Sequence, residues 1–202
     1  MFSMDQKQPD LTRDKLLQAA FCEIHRKGFQ AASIANILAD TGLTKGALYH
    51  HFPTKQVLGL AIVDEVIKQR LESRYYIPLR ESDKPLDTLL EFLEDMPKRA
   101  DDLVLLGCPL NNLMQEMSPI DGEFRAHLCA VMNAWREAME TALRRAQAQG
   151  DLRADVNCAD AALFIFSAWE GCIGTAKNLQ SAEALFVCSR QLQGYIRSLR
   201  TA

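Results

Sequence analysis

Residues 33–52 read SIANILADTGLTKGALYHHF, and this stretch decides the fold of the N-terminal part of the chain. Its apolar residues recur at helical spacing on both sides of Gly42, which predicts two short helices at residues 33–41 and 44–51. Gly42 can adopt the left-handed conformation of a tight turn, and Pro53 ends the second helix. Two short helices joined in this way form a helix-turn-helix unit.

The outward face of the second short helix is suited to DNA. A lysine can neutralise phosphate, small residues let the backbone approach a groove, and hydroxyl, imidazole and capped amide groups can donate hydrogen bonds. The alternative is an ordinary solvated face, with Tyr49 and Phe52 in the core. The predicted DNA-binding residues are Ser33, Thr44, Lys45, Gly46, Ala47, Tyr49, His50 and Lys55.

Helices flank this unit on both sides. The pattern predicts a first helix over residues 12–27, with Thr12 as its N-cap and Gly28 as its stop. A longer helix is expected at residues 55–74. The proline- and charge-rich segment 77–85 then predicts a joint between two domains.

The remainder of the chain also shows helical periodicity, and no segment predicts a strand. The sequence therefore indicates an all-α fold of about nine helices. A helix-turn-helix domain is expected at residues 11–71, and an effector-binding and dimerisation domain at 80–200. The helices expected in the second domain lie near 86–99, 109–117, 122–149, 157–178 and 181–200.

Charge is distributed unevenly along the 202 residues. The net charge is −3, but the first 60 residues carry +2 and the remainder −5. This modest asymmetry assigns any DNA contact to the N-terminal part. The polar N-terminus and the absence of an apolar run of roughly 20 residues predict a cytoplasmic protein with no membrane partner.

The six cysteines are scattered and form no Cys-x-x-Cys pair. This spacing predicts reduced thiols and argues against a structural zinc site or a disulfide framework. We expect no metal and no cofactor. The cysteines are Cys22, Cys108, Cys129, Cys158, Cys172 and Cys188.

Residues 12–58 resemble the DNA-binding domain of the TetR family of bacterial regulators. The resemblance implies a homodimer that places the second short helix of each subunit in a major groove. Half-sites about one helical turn apart, ~34–36 Å, then imply a pseudo-palindromic operator. The residues that carry the resemblance are Gly28-Phe29, Ser33-Ile34, Ile37, the run from Thr41 to Phe52, Lys55 and Leu58.

Three positions depart from the family pattern. Ala32 and Ala35 stand where the family often has a threonine and an arginine that assist phosphate binding, and Ala47 replaces a frequent Thr or Ser. Fewer phosphate contacts would make binding less dependent on salt.

The resemblance also implies that the two C-terminal helices pair with those of the second subunit, and that a pocket among the middle helices takes a small effector. Small and aromatic residues suit such a seam, although each could equally fill the subunit's own core. The pairing candidates are Ala161, Phe164, Ile165, Ala168, Trp169, Cys172, Leu185, Cys188, Leu192 and Tyr195.

Residues 107–113, 167–171 and 176–177 resemble the NemR-like branch of the family, in which some members respond to electrophiles or oxidants through a cysteine. Cys108 precedes Pro109, a favoured first helical residue, so free amides could lower the thiol pKa. Cys108 is thus a candidate sensing thiol that Lys177 could stabilise or trap. Alternatively, Cys108 is a small buried filler and Lys177 a solvated cation.

The candidate effector set combines this pair with polar, sulfur-containing and aromatic residues at helical spacing. Such residues are also typical of an ordinary hydrophobic core. The predicted effector or sensing residues are Cys108, Asn112, Met117, Trp135, Trp169 and Lys177. Phe92, Met96 and Met114 are further pocket candidates.

These patterns predict a DNA-binding transcription regulator, a repressor that a small effector or reactive electrophile releases from its operator. One alternative is a small cysteine-dependent helical enzyme, built on Cys108 with His127 or on paired acids Glu91 and Asp95. No motif joins these groups, so we predict no catalytic residues. The other alternative is a helical interaction module that has lost its operator.

Overall fold

The computed structural model describes residues 7–39 and 41–201. Within these ranges the chain is helical, and the β-structure consists of an isolated bridge between Leu152 and Arg200. The all-α prediction is confirmed. Asp40, which belongs to the first predicted short helix, and the polar terminal residues 1–6 lie outside the described residues.

The helices follow one another with short connections. Two of the helical runs change their pitch internally: α4 has π-helical turns at Ile62–Ile67 and Glu72–Tyr76, and α5 has a 3₁₀ turn at Met96–Arg99. In chain order the helices are α1 Lys7–Lys27, α2 Ile34–Ala39, α3 Lys45–His51, α4 residues 55–81, α5 residues 85–106, α6 Pro109–Met117, α7 Gly122–Gln149, α8 Cys158–Leu179 and α9 Ala182–Ser198.

The predicted start of α1 is wrong. The helix already includes Lys7, so Thr12 lies in its second turn and is not its N-cap. Pro9 falls in the first turn, where the backbone N–H groups have no intrahelical acceptor and a proline therefore removes no bond. The predicted end is correct, because Gly28 follows Lys27 with a φ of +83°.

The predicted joint at residues 77–85 is also partly wrong, since α4 continues to Glu81 and the helical pattern is interrupted only at 82–84. The N–H of Ile77 donates to the carbonyl of Glu72, five residues earlier. This π-helical turn shifts the hydrogen-bond pattern directly before Pro78, whose missing N–H would otherwise break the ladder.

The helix that begins at Pro85 extends beyond its predicted end near residue 99. Pro97 lies in the 3₁₀ turn, and the chain then resumes an α-helix to Leu106. Gly107, with a φ of +74°, ends this helix in a conformation that residues with a Cβ rarely adopt. A tighter turn therefore accommodates the proline without ending the helical run.

The chain forms two compact units. Unit 1 comprises the described residues up to Gln69 together with Asn112–Val131, and unit 2 comprises Arg70–Asn111 and the residues from Met132 onward. In unit 1, the rings of Phe29 and Phe124 lie 4.6 Å apart between centroids. A Cβ at Gly59 would come within 2.5 Å of Phe29, so only glycine fits there.

Unit 2 has an aromatic core and well-capped C-terminal helices. The side chains of Asn157 and Ser181 accept backbone N–H groups in the first turns of α8 and α9. The buried hydroxyl of Ser189 on α9 donates to the carbonyl of Leu93 on α5 at 2.9 Å. Among the described helices, none has the length and apolar character needed to cross a bilayer.

Candidate functional site

Thr41 holds the turn between α2 and α3. Its buried hydroxyl donates to the carbonyl of Leu38 at 2.9 Å and accepts the N–H of Leu43 at 3.1 Å. Gly42 follows with a φ of +67°, as the predicted tight turn requires. The two short helices are thus joined by a turn whose polar groups are bonded internally.

Both predicted caps of the helix pair are confirmed. The Ser33 hydroxyl accepts the N–H of Asn36 at 3.0 Å, and the Thr44 hydroxyl accepts the N–H of Ala47 at 3.2 Å. Each cap satisfies an amide that has no intrahelical acceptor. A helix as short as α3 has little stability by itself, so this cap and its packing keep it folded.

The two sides of α3 have opposite environments. Leu48 is fully buried and Phe52, directly after the helix, is 1% exposed, so these residues anchor α3 to unit 1. Tyr49 is 45% exposed, which excludes it from the core. The exposed side of α3 presents Lys45, Gly46, Tyr49 and His50, and Ala47 is half-buried beside them.

Lys55 already has intramolecular partners. Its Nζ donates to the carbonyl of Gln30 at 3.1 Å and lies 4.8 Å from the centroid of the Phe29 ring. An ammonium group has three N–H donors, so these contacts leave room for an additional acceptor. A phosphate contact by Lys55 stays a prediction.

Glu23 connects α1 to α2. Its carboxylate is buried, accepts a hydrogen bond from Asn36 Nδ2 at 2.9 Å, and forms an ion pair with Arg26 at 3.2 Å. The hydrogen bond from Asn36 lowers the pKa of Glu23, and Arg26 acts in the same direction against the effect of burial. The carboxylate therefore stays ionised and fixes the first short helix.

Glu116, at the end of α6, secures the turn after α1. Its two carboxylate oxygens accept the backbone N–H groups of Phe29 and Gln30, each at 2.8 Å. A Cβ at Gly28 would lie 2.8 Å from Glu116 Oε2, so the glycine also permits this approach. Sequence reasoning did not find Glu116, because no local pattern indicates a contact over such a sequence separation.

Two of the predicted effector residues meet in the core of unit 2. The ring centroids of Trp135 and Trp169 lie 5.5 Å apart, and the ring of Tyr75 stacks on Trp135 with 5.2 Å between centroids. Phe166 packs edge-on against Trp135. Asn112 and Met117 belong to unit 1, so the predicted effector residues are divided between the two units.

The residue after Trp169 is a buried acid that the sequence prediction left out of the effector set. Glu170 is 5% exposed, and neither of its carboxylate oxygens has a hydrogen-bond partner among the described residues. Burial raises the pKa of Glu170 to about 7, against a smaller opposite effect of the Cys108 thiol. Glu170 is the one charged residue in the sequence between residues 161 and 176, and this isolated charge in an apolar helix could have identified it as a candidate.

The predicted lowering of the Cys108 pKa is wrong. Burial, followed by the charge of Glu170, raises the thiol pKa well above its usual value. The N–H groups of Asn111 and Leu110 at the start of α6 act in the predicted direction, but they are outweighed. Cys108 is therefore a buried thiol with a raised pKa. Its sensing role and the proximity of Lys177 stay predictions.

A small cavity of about 260 Å³ opens beside α4 and α7 in unit 2. Tyr76, Ala134 and Ala138 form part of its wall. Arg145 reaches across the end of α4 and donates to the carbonyls of Leu79, Arg80 and Ser82. This cavity lies next to Tyr76, whose raised pKa reflects burial and, more weakly, the nearby Glu72, Cys108 and Glu170.

The structure also separates core residues from surface residues among the pairing candidates. Phe164 is 50% exposed, while Ala168, Cys188 and Tyr195 are half-buried. These four remain available for a seam. The other six are buried within the subunit and belong to its own core: Ala161, Ile165, Trp169, Cys172, Leu185 and Leu192.

Comparisons with known proteins agree with this architecture. The sequence model described as "Bacterial regulatory proteins, tetR family" matches residues 16–62, and that described as "Tetracyclin repressor-like, C-terminal domain" matches residues 85–192. The transcriptional regulator AcuR of Cereibacter sphaeroides is 31% identical over 174 residues, which cover 83% of this chain and 77% of that protein. The repressor DhaR of a Mycobacterium species is 24% identical over 166 residues, 79% of each chain.

Solved structures give the same result. A TetR regulator from Chloroflexus aurantiacus superposes with a TM-score of 0.87 and 29% identity, over 97% of this chain and all of that chain. Reduced NemR from E. coli, at a TM-score of 0.81 and 18% identity over 95% and 98% of the two chains, shares the fold. Together with the capped helix pair and its exposed polar face, these matches show that the chain belongs to the TetR family of transcriptional regulators, with an N-terminal DNA-binding domain.

Proposed function

We propose that the protein is a repressor that binds a pseudo-palindromic operator as a homodimer and is released by a small molecule bound in unit 2. The exposed face of α3 carries this proposal. Lys45, Tyr49 and His50 are exposed on a helix that Leu48 anchors and Thr44 caps. A rigid helix that presents a cation, a hydroxyl and an imidazole suits a major groove and the phosphates beside it.

The dimer is proposed to form through α8 and α9. Leu163 and Phe164 are each 50% exposed on α8, and Val187 is 39% exposed on α9. The ring centroids of Phe164 and Tyr195 lie 4.6 Å apart, so α8 and α9 share this apolar surface. Covering exposed apolar area is the main driving force for pairing two such surfaces.

Glu116 is proposed to transmit the effector signal to the DNA-binding helices. Its carboxylate holds the Phe29–Gln30 turn, which leads from α1 into α2, and its helix α6 begins directly after Cys108. A ligand that favours a different position of α6 would change the free energy of this contact. The two subunits would then favour a spacing that no longer fits adjacent grooves.

The contacts favour regulation over catalysis. His127 pairs with Asp64 at 2.8 Å, and Asp95 pairs with Lys98 at 2.6 Å on an exposed helix end. His127 and Asp95 thus pair with residues other than Cys108 and Glu91, which are the partners that the enzyme alternative requires. In the described residues, no group of three or more His, Cys, Asp or Glu side chains could hold a metal ion. A repressor of this kind would act on chromosomal DNA in the cytoplasm.

The test is a salt-titrated gel shift on the intergenic DNA beside the protein's own gene, with excess competitor DNA. We expect saturable, competitor-resistant binding that weakens with salt, and its loss in a Lys45→Ala/Tyr49→Ala variant. Adding an electrophile such as methylglyoxal to the wild type and to Cys108→Ser tests release. Equal behaviour of wild type and the double variant at every salt concentration would contradict the assignment of α3 as the DNA-reading helix.

A further inference from the structure

The first π-helical turn of α4 has no proline to explain it. The second turn, Glu72–Tyr76, directly precedes Pro78, whereas the first, Ile62–Ile67, ends well before that proline. In the first turn the N–H of Lys68 donates to the carbonyl of Val63, five residues earlier. A π-turn inside an α-helix is rare and is frequently found at functional sites. The side chains that this turn directs are therefore candidates for a functional role.

Two consecutive acids of this turn bond to different helices of unit 1. Asp64 Oδ2 lies 2.8 Å from Nδ1 of His127 on α7. Glu65 binds Arg13 of α1, whose two terminal guanidinium nitrogens donate to the two carboxylate oxygens at 2.5 and 2.6 Å. One turn of α4 is thus fixed to both α1 and α7.

The ion pair between Arg13 and Glu65 has the geometry of a strong interaction. About a third of each side chain is exposed, and exposed ion pairs usually contribute little. Paired, parallel hydrogen bonds between a guanidinium and a carboxylate are the exception, because they add geometric specificity to the attraction of charges. The hydrogen bonds from Arg13 lower the pKa of Glu65 against the effect of burial, so the carboxylate is ionised at neutral pH. The guanidinium is thereby held in one orientation.

The same guanidinium contacts the residue that follows α3. Arg13 Cζ lies 5.1 Å from the centroid of the Phe52 ring. Phe52 is 1% exposed, and its N–H donates to the carbonyl of Leu48 at 2.8 Å, which closes the last turn of α3. A cation above an aromatic ring is attracted by the electron density of its face. Arg13 therefore joins α1 and α4 to the end of the helix that presents Lys45 and Tyr49.

We propose that Arg13 is a positioning residue for DNA binding, which fixes the orientation of α3 through Phe52 while Glu65 holds its guanidinium in place. This role rests on operator binding by α3, as proposed above. The helix has only seven residues and depends on its neighbours to stay in place. Without the contact to Phe52, a smaller fraction of subunits has α3 in the orientation that fits the groove. The observed affinity falls in proportion to that fraction.

The salt dependence of binding distinguishes this role from a contact with DNA. Loss of a phosphate contact reduces the slope of log K against log salt concentration by roughly 0.9 per phosphate. Loss of positioning reduces K at every salt concentration and leaves the slope unchanged, because the bound state contacts the same phosphates. A residue that only stabilises the fold would leave the affinity of fully folded protein unchanged.

The experiment is a salt-titrated gel shift with the intergenic DNA beside the protein's own gene, at a temperature where circular dichroism shows each variant to be folded. Arg13→Lys keeps the charge but lacks the planar fork that binds both carboxylate oxygens. We expect it to bind at least about fivefold more weakly than wild type with an unchanged slope, and Glu65→Gln to change in the same direction. The matched control is Arg144→Lys in unit 2, where Arg144 pairs with Glu140 at 2.7 Å, and it should bind as wild type.

The double variant Arg13→Lys/Glu65→Gln tests whether the two residues act as one unit. We expect it to bind no more weakly than Arg13→Lys alone, because Glu65 acts through Arg13. Additive losses, or a reduced slope in Arg13→Lys, would overturn the proposal. If Arg13→Lys does not fold, the affinity and slope of Glu65→Gln decide. Wild-type affinity in the folded variants refutes only the positioning role, whereas absence of specific binding by the wild type refutes the proposed function itself.

Discussion

The carboxylate of Glu116 accepts the backbone N–H of Phe29 at 2.8 Å, although 87 residues separate them in the sequence. The second oxygen accepts the N–H of Gln30, so one side chain satisfies two amides of the turn that follows α1. Hydrogen bonds to an ionised acceptor are stronger than neutral ones. The end of α6 therefore contributes directly to the fold of unit 1.

Replacing Glu116 should destabilise this unit. We expect Glu116→Ala to lower the free energy of unfolding by about 1–3 kcal/mol, because two backbone donors lose an ionised acceptor. Glu116→Gln should lose less, since it retains one acceptor oxygen. Urea unfolding at fixed protein concentration measures the difference, with Glu91→Ala as a control for the lost charge. Equal stability of Glu116→Ala and the control would refute a structural role for the contact.

The cap of α3 gives a second prediction. Thr44→Ala removes the hydroxyl that accepts the N–H of Ala47 and should reduce stability by about 1 kcal/mol. Thr44→Ser retains the hydroxyl and should stay close to wild type. Thermal unfolding distinguishes the two variants. If both lose the same amount, packing of the threonine methyl group, rather than the cap, stabilises the helix start.

Lys45 gives a prediction about DNA rather than stability. If each Lys45 of a dimer neutralises one phosphate, Lys45→Ala should reduce the slope of log K against log salt concentration by about 2, or roughly 0.9 per phosphate. Lys84→Ala removes the same charge from an exposed position in unit 2 and should leave the slope unchanged. A similar change in both variants would indicate a general charge effect instead of a contact by α3.

The DNA-binding helix pair could be predicted because its signals are local. Gly42, the Thr44 hydroxyl and the apolar spacing around Leu48 each act within a few residues, and the structure reproduces all three. The helix ends near Pro78 and Pro97 were predicted wrongly. In both cases a change of helical pitch accommodates the proline ring, and the local sequence pattern gives no sign of that adjustment.

The environment of the proposed effector residues was less predictable because it depends on burial. Cys108 does precede the first turn of α6, and the amides there do favour a thiolate, as the sequence implied. The opposing effect came from desolvation and from Glu170, which is 62 positions away in the chain. Only the folded structure shows that this pair of groups shares one buried region.

The exposed face of α8 predicts how the subunits associate. Phe164→Asp places a charge on the half-exposed apolar surface and should convert a dimer into monomers, because a buried unpaired charge opposes association. Leu105→Asp, at a 63% exposed position on α5, is the matched control and should remain dimeric. Sedimentation velocity at micromolar concentration measures the oligomeric state of both variants. A dimeric Phe164→Asp protein would place the interface elsewhere.

Glu170 predicts an unusual pH dependence of stability. Its pKa of about 7 in the folded chain exceeds the ordinary value of 4.5, so between these values the unfolded state has released a proton that the folded state retains. Folding stability from this group must therefore fall as pH rises through that window, by about 3 kcal/mol in total, and stay constant above it.

The variant Glu170→Gln has no group that titrates at this position. The stability of the variant relative to wild type should rise by that amount from pH 4.5 to pH 8, measured by urea unfolding at a fixed protein concentration. A constant difference across the range would mean that Glu170 is ionised in the folded protein, and a group that donates to its carboxylate would then have to be identified.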